Sequence, residues 1–417
     1  MFNRRAAGML GALTVLAVAC GGSGATTAPA TTKPATAAPP ATTTPATVAP
    51  ATATAAAPGS ATAGCSVAVS WNNYQQPRWA AHDQPNIKST VEAGGGTYQD
   101  ADANLSGEQQ ATDIQTFIDK KVDVLIVLAQ DTTAVIPAIK AANDAGIPVI
   151  AYDRLIEDPS VLYITFDNVG VGQAQATAIL AKVPPGTAAA PKNYVLIKGD
   201  PGDPNASTFL PSGWDNAGLK AAVTAGTIKL LNGPDGTFTD AWKTETAQSN
   251  MEAIIDKAVA DGTPIDAILA ENDSTALGVV GALTAKSYGF PPLSGQDGDP
   301  ANLNNVALGK QYVDVWKNAN ELGKTAGAAA LALCAGGAMS SLTLQSGLVD
   351  PAVAPVAGLT ATPFQTPGGN TVSSFILQPT PLTAANLQKA IDGGQISKAD
   401  LCKGVDATSA TAPTACK

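Results

Sequence analysis

Two segments of the chain follow one pattern: an apolar run of strand type, a helix opening on polar residues, and a second apolar run ending in a carboxylate. In the first, Val122-Asp123-Val124-Leu125-Ile126-Val127-Leu128 reads as a buried strand, and Thr132 to Ala145 has the i, i+3, i+4 apolar spacing of a helix. Pro148-Val149-Ile150-Ala151-Tyr152-Asp153-Arg154 then returns to strand. In the second, Ile265 to Ala270 is the strand, Asn272-Asp273-Ser274-Thr275-Ala276 opens the helix, and Pro292-Leu293-Ser294-Gly295-Gln296-Asp297 closes on an acid. Strand, helix, strand is the unit of a parallel sheet, and ligands of open parallel sheets sit beyond the carboxyl ends of the strands. The repeat therefore predicts an α/β protein with two lobes, in which Asp153, Arg154, Asp273 and Asp297 face a cleft. The competing readings are a surface ion pair for Asp153 with Arg154 and a helix cap for Asp273.

Before this body, Arg4 and Arg5 precede an apolar run from Ala6 to Ala19, long enough for an export signal and too short for a permanent span. Leu16-Ala17-Val18-Ala19-Cys20, followed by Gly21-Gly22-Ser23-Gly24, resembles the cleavage and lipidation site of bacterial lipoproteins, with Ala17 where that pattern prefers leucine. Residues 1–20 are thus expected to be a signal peptide, with Cys20 the lipidated residue. Residues 21–64 are almost wholly Ala, Thr, Pro, Gly and Ser, with Lys33 the only charge, and cannot bury enough surface to offset their ordering entropy. They read as a disordered tether, placing the body on the outer face of a membrane. With Cys20 set aside, Cys65, Cys334, Cys402 and Cys416 allow three connectivities, of which Cys402 with Cys416 is the expected pair. None lies in a CxxC, so no metal is expected. Lys and Arg number 24 against 34 Asp and Glu, and an acidic chain repels phosphate backbones, which argues against nucleic acid as a partner.

Within the body, the loop Trp71-Asn72-Asn73-Tyr74-Gln75-Gln76-Pro77-Arg78-Trp79 is rich in rings for a chain that is 5% aromatic. Arg78 and Trp79 are assigned to a ligand and Trp71 to the core. Gly170-Val171-Gly172 opens a helix but lacks the third glycine of a dinucleotide fingerprint, so the glycines read as close chain packing. Asn205, after the turn-rich Gly199 to Pro204, suits either a ligand or a cap, and Trp242 stands just before a helix from Thr244 to Val259. Only one histidine exists, His82, and no serine or cysteine has the setting of a nucleophile. No cofactor and no catalytic residue are expected. Paired carboxylates could serve a glycosidase, yet each acid here stands beside a donor-rich neighbour, which suits holding hydroxyls more than moving protons.

Taken together, the blocks Arg78-Trp79, Val122 to Leu125, Ala151-Tyr152-Asp153-Arg154-Leu155-Ile156, Thr165-Phe166-Asp167-Asn168, Asn205-Ala206, Asn272-Asp273, Ser294 to Asp297 and Trp316-Lys317 resemble the sugar-binding proteins of bacterial ABC importers, in particular the D-xylose-binding and multiple-monosaccharide-binding type. The resemblance implies the type I periplasmic binding protein fold: two Rossmann-like lobes with parallel sheets, joined by three crossing strands. It places 65–166 with 318–375 in one lobe and 167–317 with 376–417 in the other. It further implies Arg78, Asp153, Arg154, Asn205, Asp273, Asp297 and Lys317 as hydrogen-bonding groups and Trp79 and Trp242 as stacking surfaces. The ligand would be a monosaccharide, D-xylose first and otherwise glucose, galactose or arabinose, carried by a monomer to an ABC permease. A secreted glycoside-processing enzyme is the alternative from another class. The loop before Asn205 and the insertion from Ala335 to Asn370 depart from the family pattern.

Overall fold

The structure is a computed structural model that describes residues 64–344 and 358–417. The expected signal peptide, Cys20, the tether up to residue 63 and residues 345–357 of the insertion lie outside the described residues.

In chain order the strands are β1 (Ser66–Trp71), β2 (Thr97–Asp102), β3 (Val124–Val127), β4 (Val149–Tyr152), β5 (Val161–Phe166), β6 (Lys192–Ile197) and β7 (Ile228–Leu230). They continue as β8 (Ala267–Ala270), β9 (Ser294–Gln296), β10 (Val313–Trp316), β11 (Thr362–Gln365), β12 (Thr371–Leu377) and β13 (Thr380–Leu382). A first sheet has the order β11-β12-β5-β4-β3-β1-β2, parallel throughout except for β11, which runs antiparallel to β12. A second set consists of β7-β6-β8, all parallel, and β9-β10-β13, in which only β13 is antiparallel. A parallel bridge between Ile268 and Leu293 joins the two triplets. Every residue of β3, β4, β5 and β8 is buried, the unbroken apolar signature of strands covered on both faces by helices.

The chain passes between the two sheets three times. After β5 the helix Asn168–Lys182 sends Val171, Ala176 and Ile179 into the core of the second lobe. After β10 the helix Ala319–Cys334 returns Leu322, Ala326 and Ala329 to the core of the first. The last passage follows β12, and because Leu377 still pairs with Phe166 it falls beyond the expected limit at 375. All three passages leave the carboxyl ends of their strands, which is the edge where the predicted site residues cluster.

Gly172 and Gly213 let the helices Asn168–Lys182 and Leu210–Asn216 touch backbone to backbone: a Cβ on Gly172 would lie 2.2 Å from the Leu210 carbonyl oxygen. The helices Leu210–Asn216 and Leu219–Thr224 are separated at Gly218, whose φ of 105° only glycine adopts readily. Leu382 ends β13, and the short helix that follows spans Gln388–Asp392. Cys402 pairs with Cys416 as expected, and Cys65 pairs with Cys334, tying the start of β1 to the end of the helix before the insertion. Among the described residues no helix is long and apolar enough to cross a membrane.

Candidate functional site

A cavity opens where the strand ends of the two lobes meet. The first lobe contributes Arg78, Trp79, Asp153 and Arg154, the second Asn205, Trp242 and Asp297, and the passage after β10 contributes Lys317. Asp153, Asp297 and Lys317 each stand one residue past a strand, β4, β9 and β10, while Arg78, Asn205 and Trp242 reach the same edge on the longer segments that follow β1, β6 and β7.

Arg78 is the hub. Its Nη2 donates to Asp153 Oδ2 at 3.0 Å and its Nη1 to Asp297 Oδ1 at 2.9 Å, so one guanidinium bridges the lobes. Asp83 anchors it from behind, accepting from Nε and Nη2 at 3.2 Å each, and Tyr152 donates its hydroxyl to the same carboxylate at 2.5 Å. Lys317 Nζ lies 3.2 Å from Asp153 and 3.5 Å from Asp297. Two cations and three carboxylates are thus interlocked with almost no water contact, an arrangement in which burial is tolerated because each charge has opposite charges beside it. Burial alone would raise the Asp153 carboxyl, but Lys317 and Arg78 outweigh it and hold the group at about 2. Asp83 goes the other way: burial pushes it up to about 6 against the pull of Arg78.

The interlock leaves acceptors and donors free on the cavity side. Asp153 Oδ1 and Asp297 Oδ2 take no hydrogen bond among the described residues, and Asn205, whose Oδ1 accepts from Asn168 Nδ2 at 2.9 Å, keeps its Nδ2. Asn205 serves as no side-chain cap. Asp153, Trp242 and Asp297 have φ of 60°, 59° and 111°, so three lining residues sit in the left-handed region where non-glycine residues are uncommon. Such backbone concentrates at sites whose surroundings hold a side chain in one required direction.

Asp153 and Arg154 are each 4% exposed, which excludes a surface pair, and they do not pair with one another. Arg154 donates Nη1 to the Ala129 carbonyl at 2.9 Å and places Nε 3.1 Å from Asp203 Oδ2, a carboxylate from the other lobe. Two indoles line the cavity, one from each lobe. Trp79 carries the Arg78 guanidinium 4.3 Å from its ring centroid. The Trp242 ring rests on Gly199, where a Cβ would come within 2.2 Å of it. Trp71 is fully buried in the first core, as its assignment required.

Asp273 is the exception among the expected residues, and its assignment to the ligand is corrected here. It is fully buried beneath the cavity, with Oδ2 accepting from the backbone N–H of Gly298 at 3.0 Å and of Asp299 at 2.8 Å. It is not the cap either: Asn272 caps that helix through Oδ1 to Thr275 N at 2.9 Å, and it is Asn272 that lines the cavity. Asp273 instead fastens the turn that presents Asp297. It shares this buried space with Asp299 and Asp314. Burial, then its acidic neighbours Asp314 and Asp299, drive the Asp273 carboxyl far up, while burial foremost lifts Asp299 to about 7 and Asp314 to about 8.

The cavity also contains Gln76, Asp203, Asn272 and Gln296, which were not singled out. Three lay inside blocks already marked: Gln76 in the aromatic loop, Asn272 beside Asp273, and Gln296 beside Asp297. Asp203 was hidden among turn formers, and its signal is the buried arginine it neutralises.

With this geometry in view, the chain matches the model of the periplasmic binding protein domain over residues 67–338. It is 33% identical over 287 residues to the D-xylose-binding periplasmic protein of Escherichia coli, covering 68% of this chain and 82% of that protein. It is 28% identical to the multiple sugar-binding periplasmic receptor of Rhizobium radiobacter, covering 81% of this chain and 92% of the receptor. Among solved structures, an ABC transporter solute binding protein from Clostridium phytofermentans with bound β-D-glucose superposes with a TM-score of 0.69 at 32% identity, covering 80% of this chain and 99% of that one. The family model and the solved structure agree, and the chain belongs to the periplasmic binding protein family, with its type I fold.

Proposed function

We propose that the protein captures a monosaccharide, an aldose such as D-xylose, in the cavity between its lobes and delivers it to an ABC permease. The observation that carries this reading is the pairing of unfilled charged acceptors and donors with an indole from each lobe. A sugar presents hydroxyls at its rim and C–H groups on its faces, and needs both kinds of surface at once. Several charge-assisted bonds, each worth about 1.5 to 3 kcal/mol, reach the roughly −8 kcal/mol of micromolar binding after ordering costs. Relatives named for xylose and for multiple sugars, and a neighbour holding glucose, support the ligand class. Against a glycoside-processing enzyme stands the pairing of the acids: Asp153 and Asp297 are both tied to Arg78 and Asp203 is tied to Arg154, so each of these cavity carboxylates already has a cation beside it.

The moving bodies in this reading are 65–166 with 318–377 and 167–317 with 378–417, a monomer held outside the cytoplasm by a lipid on Cys20. A calorimetric panel of xylose, glucose, galactose, arabinose and ribose tests the proposal. Binding of one or more with the sugar recovered unaltered is the expected result, and silence toward the whole panel would overturn it.

A further inference from the structure

The insertion after the helix Ala319–Cys334 does more than extend an edge. Its described part forms β11, which pairs with β12 and places Phe364 opposite Val372. The Phe364 ring stands edge-on to two others, Tyr163 of the same lobe with centroids 5.5 Å apart and Phe209 at 6.0 Å. Phe209 belongs to the other lobe. The helix that follows it, Leu210–Asn216, is rooted in the second core through Leu210 and Trp214, yet the Phe209 ring is 8% exposed and buried in the apolar cluster of the first lobe. The hairpin is in turn fastened to the loop that carries Arg154: Glu157 accepts from Thr366 Oγ1 and from Gly368 N, both at 3.0 Å. An aromatic contact therefore crosses from lobe to lobe outside the cavity, on a segment tied to one cavity wall.

We infer that Phe364 and Phe209 form a latch that sets how readily the lobes close, and so tunes affinity and release for every ligand alike. The inference rests on the proposed binding by lobe closure. A contact made in the closed form and lost in the open one multiplies the apparent affinity by the factor through which it favours closure. Because neither ring touches the ligand cavity, that factor is blind to the identity of the sugar. An edge-to-face pair of this kind corresponds to about three- to tenfold.

The test compares the parent with Phe364→Ala and Phe364→Leu by calorimetry on the sugar panel, by dissociation rates from tryptophan fluorescence, and by melts without sugar. Phe364→Ala should weaken every sugar the parent binds by about three- to tenfold, through faster dissociation and with the order of preference kept. Phe364→Leu should fall between the two and carries the test if the alanine variant fails to melt cooperatively. Unchanged affinity together with a lowered melt would make the contact mere packing and overturn the latch. A changed order of preference would also overturn it, by placing the effect in the cavity. A parent that binds none of the sugars would defeat the proposed function itself, and the latch with it, a failure visible before any variant is measured.

Discussion

Replacing Asp153 by asparagine is the sharpest perturbation of the site, and asparagine is preferred to alanine for a structural reason. The residue has φ of 60°, a conformation asparagine tolerates and alanine adopts at a cost of about 1 kcal/mol, which would confuse folding with binding. In the parent, Oδ2 takes Arg78 at 3.0 Å and Lys317 at 3.2 Å, and Oδ1 takes no hydrogen bond among the described residues. The amide keeps the shape and loses the charge. One charge-assisted bond to a ligand hydroxyl accounts for about 1.5 to 3 kcal/mol, and the weakened hold on Lys317 adds to it. The total is about 2 to 4 kcal/mol, or roughly thirty- to a thousandfold in affinity. Folding should survive, because Arg78 keeps Asp83 and Asp297 and Lys317 keeps Asp297 at 3.5 Å. Calorimetric titration with each sugar the parent binds, beside a thermal melt without sugar, reads both effects. Parent-like affinity for all of them would show that the ligand lies elsewhere, and a collapsed melt would make Asp153 a structural residue.

Gly199→Ala should push the Trp242 ring out of place, since the added Cβ would lie 2.2 Å from it, and weaken binding by about tenfold, consistent with the 1 to 3 kcal/mol of overpacking; unchanged affinity would remove Trp242 from the ligand surface. The acids beneath Asp297 predict a pH dependence of stability. Asp299 at about 7 and Asp314 at about 8 are raised by burial above an unfolded value of roughly 4, so the folded chain keeps protons that the unfolded chain releases, and stability falls as pH rises from about 4 through 8. Melts from pH 5 to about 9 should show this decline, and Asp314→Asn should flatten it; an equal slope in the variant would refute the assignment. Cys20→Ser should release the protein from membranes, and unchanged fractionation would argue against lipidation.

What the sequence by itself determined was the alternation of elements and the chemistry at their ends. Short apolar runs rich in β-branched residues, such as Val124 to Val127 and Val149 to Tyr152, read as strands buried on both faces, and that reading places Asp153 and Arg154 past a strand end. Tertiary structure alone decided the partners. Arg78 meets Asp153 across 75 residues and Asp297 across 219, separations over which no periodicity in the sequence carries information. The same limit explains Asp273. Two adjacent polar residues open that helix, and local spacing cannot say which faces outward. The turn at Gly298 and Asp299, brought in from a different strand, offers two backbone donors to Asp273 and leaves Asn272 at the cavity. Arg154 found Asp203 rather than its neighbour for a related reason: the left-handed backbone at Asp153 turns successive side chains apart, and the other lobe supplies the carboxylate that a buried guanidinium requires.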